Sequence, residues 1–132
     1  MQAVADYCGP TDFIDDLGVT GAKTDAPVLV KLFGGTSKEK ADAWKQGSPI
    51  TFVRAGDPPF LIVHGDADKT VPIEHSKRFS AALKKSDVPV EFIVVKGGGH
   101  GMTAAKGEPP AEPDANALNA AVLAFFDKQL KK

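Results

Sequence analysis

The sequence predicts one α/β domain in which about three parallel strands alternate with helices. Three observations lead there. Three short apolar runs each end in turn residues. Segments with helix start and stop signals lie between them. The runs are near-continuous in Val, Ile and Phe rather than alternating, as suits strands covered on both faces.

The first run, "QAVADY" (Gln2–Tyr7), closes on "CGP". The stretch "APVLVKLFGG" has the length of a strand or a short helix. Pro27 at its start and Gly34-Gly35 at its end favour the helix. "TSKEKADAWKQG" opens on Thr36 with Glu39 three residues on, a capping-box pattern, and stops at Gly47. The second strand is "PPFLIVHG" (58–65). A helix is expected from Pro72 to about Lys85, with proline in its first turn and lysines at its end. The third strand lies within "VPVEFIVVKGGG" (88–99). "KGEPPAEPD" holds three prolines in nine residues and reads as a loop. The last helix starts at Asp114, a favourable N-cap, and repeats apolar residues Leu118, Ala121, Val122, Phe125 and Phe126 at helical spacing.

Composition removes several functions. Sixteen Lys and Arg against 17 Asp and Glu leave a net charge of −1, so no basic footprint for nucleic acid is present. No apolar run nears the roughly 20 residues of a membrane span, and no charged-then-apolar leader opens the chain. The single cysteine, Cys8, forms no internal disulfide and leaves the compartment open.

Chemistry in open parallel sheets gathers beyond the carboxyl ends of the strands. Asp66 and Asp68 follow the second strand there, and His100 follows the third, set among Gly97, Gly98, Gly99 and Gly101. Neighbouring parallel strands bring the two loops together, so an aspartate there can orient the imidazole and stabilise its charged form. Asp68 also suits a plain helix-start role, and Asp66 a bond to loop amides. His64 reads as a structural histidine, and His75 as solvated on a polar helix face. A metal site from His64, Asp66 and Asp68 fits known ligand spacings poorly. "GHGMTA" (99–104) matches a dinucleotide fingerprint only formally, because prolines soon follow where a helix should continue. Cys8 reads as a small buried hydrophobe rather than a nucleophile. Trp44, Phe33 and Phe52 either line an acyl pocket or pack the insert.

"HGDADKTVP" followed by "GGGHG" resembles the acid and histidine ends of an α/β-hydrolase of the esterase/lipase type. "VADYCGPTDF" and "GSPITFV" are similar to bacterial carboxylesterases of that superfamily, including relatives acting on acetylated or feruloylated plant polysaccharides. The resemblance runs from about Gln2 to the last helix. It implies a partial α/β-hydrolase fold, hydrolysis of a small carboxylic ester without cofactor or metal, catalytic Asp68 and His100, and a cap or substrate-side insert over residues 11–57.

One departure stands out. The family places a serine in Gly-x-Ser-x-Gly, ahead of the acid and histidine. None of Ser37, Ser48, Ser76, Ser80 and Ser86 stands in such a motif, and a His-Gly-Gly oxyanion segment is also missing. The expectation is therefore a carboxy-terminal portion of an esterase, inactive alone, with its nucleophile outside these 132 residues. A first strand without a neighbour on one side further predicts a homo-oligomer through Gln2–Tyr7.

Overall fold

A computed structural model describes residues 1–14 and 25–131. Strands β1 (Val4–Tyr7), β2 (Phe60–Gly65) and β3 (Val90–Val95) form one parallel sheet in the order β1-β2-β3. Helix α1 spans Pro27–Phe33, α2 Ala41–Gly47, α3 Glu74–Lys85 and α4 Ala115–Leu130, with a 3-10 turn at Pro49–Phe52. This is the predicted class, a three-stranded parallel sheet with four helices.

The register sorts the two sheet faces. Val4 pairs with Phe60, and Phe60 in turn with Val90, so every second residue of each strand shares one face. On that face Phe60, Ile62, Val90 and Phe92 pack against Phe79 and Leu83 of α3, with the Phe60 and Phe79 rings edge to face at 5.4 Å. On the other face Leu61, Val63, Ile93 and Val95 meet Leu118, Val122 and Phe125 of α4. Ile62, Val63 and Leu83 are fully buried. The continuous apolar reading of β2 is thus explained by helices on both sides.

Asp114 caps α4 as its sequence position suggests, its Oδ1 accepting from Ala117 N–H at 2.8 Å. The ambiguous segment is the helix α1, closed by Gly34 in the left-handed region at φ 76°. The Thr36–Glu39 box also forms, with Thr36 N–H donating to Glu39 Oε2 at 2.9 Å and Glu39 N–H to Thr36 Oγ1 at 3.3 Å. It closes a turn, however, and not the expected continuous helix. Lys40 takes φ −129°, which interrupts the helical path, and α2 begins only at Ala41.

Helices α1 and α2 make a second, smaller core of Ala26, Leu29, Trp44 and Val71, with Phe13 and Phe33 against it. Trp44 is 1% exposed and donates its Nε1–H to Gly35 O at 3.0 Å. Its ring lies 4.9 Å from that of Phe33. Phe52 stands apart and is 60% exposed. The three aromatics therefore do not form one pocket: two pack the insert and the third faces a cavity of about 580 Å³ beside β1. Val71 ties this small core to the loop after β2. Among the described residues no helix is long and apolar enough to cross a membrane.

Candidate active site

Both loops of interest leave the same end of the sheet. Backbone bonds join them: Asp66 N–H donates to Val95 O at 3.1 Å, and Ala67 N–H to Gly98 O at 3.0 Å. Asp66 Oδ1 adds a clasp by accepting from Gly97 N–H at 2.7 Å, the loop-amide role read from its position. The approach is close enough to demand glycine at the end of β2. A β-carbon on Gly65 would sit 2.1 Å from Gly98 O and 2.6 Å from Gly99 O.

This juncture brings Asp68 and His100 together, with His100 Nδ1–H donating to Asp68 Oδ2 at 2.9 Å. The Asp68 side chain is fully buried, while that of His100 is half exposed. The other oxygen, Oδ1, accepts from Thr70 N–H at 2.7 Å and Val71 N–H at 3.0 Å. Asp68 therefore closes the turn ahead of α3 and holds the imidazole at the same time. The helix-start role and the histidine-orienting role do not compete.

His64 is fully buried and structural in its bonding. Val71 O can only accept, so His64 Nε2 carries the proton toward it at 2.9 Å. Nδ1 then accepts from the Ser76 hydroxyl at 2.6 Å. His64 Nε2 also lies 3.3 Å from Asp68 Oδ2, so that oxygen stands between two imidazoles.

His75 departs from its expected solvated position. It is 1% exposed, with Nδ1 accepting from Thr11 N–H and Asp12 N–H at 3.3 Å each. The chain leaving β1 folds across α3 and covers a ring that looks polar and outward by helical spacing alone. Nothing in α3 itself signals this. Residues 99–104 form turns rather than a helix, so the formal dinucleotide pattern lacks its structural context.

Electrostatics act in opposite directions on Asp68 and Cys8. Burial pushes the Asp68 carboxyl up, but the His100 donor and the Val71 and Thr70 amides outweigh it and hold the group below the ordinary aspartate range. A depressed acid adds stability that is present above its unfolded value near 4 and is lost as pH falls through the folded value. Wild type is accordingly expected to lose stability below about pH 4 with a steeper slope than Asp68→Asn. Urea midpoints between pH 5 and 3 measure this, and parallel curves for the two proteins would refute it. Cys8 is 2% exposed, and burial, helped by the Asp68 charge, pushes its thiol up to about 11. It is no thiolate nucleophile at neutral pH.

A buried acid fixing a half-exposed histidine at the carboxyl rim of a parallel sheet, with helices on both faces, defines part of an α/β hydrolase. Within that class the chain belongs to the BD-FAE family, whose model matches residues 1–83. It is similar to esterase LipC of Mycobacterium tuberculosis, 34% identical over 62 residues, covering 46% of this chain and 15% of that relative. A solved truncated carbohydrate esterase from gut microbiota aligns over 99% of this chain and 43% of its own, with 31% identity and TM-score 0.77. The thermophilic esterase Est2 of Thermogutta terrifontis aligns over 96% of this chain and 42% of its own, with 26% identity and TM-score 0.61. The chain thus spans less than half the length of each of these relatives.

Proposed function

We propose that this chain supplies the acid and the base of a serine carboxylic-ester hydrolase, Asp68 as acid and His100 as base. The observation that carries the reading is the 2.9 Å bond from His100 Nδ1 to a fully buried Asp68 carboxylate. That bond leaves Nε2 as the nitrogen free to take a proton from a serine hydroxyl. The hydroxyl oxygen then attacks the ester carbonyl, and the imidazolium returns the proton to the departing alkoxide. Asp68 keeps the ring in the required tautomer and stabilises its charge without itself taking the proton. The esterase relatives and family support an ester substrate, and residues 11–57 contribute substrate-side contacts. The nucleophile belongs to a segment with Gly-x-Ser-x-Gly, which these 132 residues lack. The test is labelling by a fluorophosphonate probe. The chain alone should stay unlabelled, and the same residues joined to such a segment should label in a His100-dependent way. Labelling that ignores His100→Ala would overturn the assignment.

A second reading concerns association through β1. Within the described residues β1 has a ladder partner on one side only. Asp6 Oδ2 is buried beside it without a hydrogen-bond partner. The adjoining cavity is lined by Met1, Val4, Pro10, Phe52 and Val53. A second copy related by a two-fold axis fits this edge, because the same surface then serves both partners. Light scattering at micromolar concentration is expected to give twice the 13.9 kDa chain mass. A monomer mass sinks the idea.

A further inference from the structure

Cys8, which follows β1, meets His64 and Asp68, four residues apart at the end of β2 and in the loop after it, and Asp68 belongs to both this cluster and the candidate catalytic pair. Cys8 Sγ, a His64 ring nitrogen and an Asp68 carboxylate oxygen lie within 4.8 Å of one another. All three side chains are buried, Cys8 at 2% exposure and those of His64 and Asp68 at 0%. A thiolate, an imidazole and a carboxylate make a donor set for a borderline-soft divalent ion.

We propose that Cys8, His64 and Asp68 form a binding site for a thiophilic divalent cation such as Zn²⁺, and that its occupation draws Asp68 away from His100. Three protein ligands leave a fourth, open position on a tetrahedral ion for water. The charges match, since one thiolate and one carboxylate neutralise a dication. Binding replaces the Cys8 S–H bond with a sulfur–metal bond and releases that proton to solvent.

His64 meets the remaining requirement through Ser76. Ligation at Nε2 needs the ring proton on Nδ1, where the Ser76 hydroxyl lies 2.6 Å away. A hydroxyl accepts as readily as it donates, so Ser76 Oγ can reverse its bond and hold the new tautomer. A metal-bound histidine ordinarily has such a partner on its other nitrogen. Val71 O loses its donor in exchange. This proposal concerns binding and does not depend on the catalytic reading.

Cadmium is the probe, because a cysteine thiolate bound to Cd²⁺ gives a charge-transfer band in the near ultraviolet. Wild type, which has one cysteine, is expected to bind one Cd²⁺ with that band and to show a displaced His100 ring resonance by NMR. Ser76→Ala should weaken binding about 10- to 100-fold by removing the partner of Nδ1, and Asp68→Asn should weaken it more. His100→Asn should bind at least as tightly, since the competitor for Asp68 is gone. A missing band in wild type overturns the site. So does a band whose affinity ignores both Asp68→Asn and Ser76→Ala, since the thiol is then acting alone. If those variants do not fold, an unmoved His100 resonance in cadmium-loaded wild type decides against it equally.

Discussion

The 132 residues alone are expected to release no p-nitrophenol from p-nitrophenyl esters above a protein blank. Removing the nucleophile from a comparable triad costs about 10⁶ in turnover. Losing a preorganised oxyanion donor costs roughly a further 10² to 10³. Asp68 and His100 are held at hydrogen-bond distance, but a base without a nucleophile to deprotonate transfers nothing productive. Joined to a segment that carries Gly-x-Ser-x-Gly, the same residues should hydrolyse the ester. Asp68→Asn should then lower kcat by about 10⁴, because the amide no longer fixes the tautomer. Hydrolysis by the chain alone that vanishes on His100→Ala would place a nucleophile within these residues and reverse the assignment.

Gly65→Ala is the second large effect, and it acts without touching either catalytic candidate. The added methyl would meet Gly98 O at 2.1 Å and Gly99 O at 2.6 Å, both backbone atoms. Backbone held by the Ala67-to-Gly98 and Asp66-to-Val95 bonds cannot yield as a flexible side chain does. Overpacking of this kind costs about 1–3 kcal/mol, occasionally more. The displaced segment is the one that carries His100. The variant should therefore lower the urea midpoint and also abolish the downfield Nδ1 proton signal of a histidine bonded to aspartate. An unchanged midpoint together with an unchanged signal would show that the two loops are not locked as described.

Much of this arrangement was legible in the sequence, for physical reasons that differ by element. β2 is near-continuously apolar because helices cover both its faces, and β3, with Glu91 at the surface, follows the same pattern less completely. Asp114 and the Thr36–Glu39 box are local signals, and local signals survive into the fold. The meeting of Asp68 and His100 followed from a topological rule, since both loops leave the same end of adjacent parallel strands. What failed or stayed hidden depends on distant contacts. His75 is buried by the chain after β1, and Lys40 breaks a helix that its capping box promises. Ser76 is one small residue among several on α3. Only the fold sets its hydroxyl against His64, and no spacing reveals that.

Most of the bonds that set up Asp68 and His100 come from a short contiguous stretch, the exception being Cys8 Sγ–H, which donates to His100 O at 3.5 Å. His64, Thr70, Val71, Ser76 and the Gly98–Thr103 turn all lie between residues 60 and 103. Inheritance can therefore treat this β-α-β piece as a cassette. A gene crossover ahead of codon 60 exchanges the insert and whatever precedes it, while the Asp68–His100 contact passes on with its loop bonds and loses only the one from Cys8.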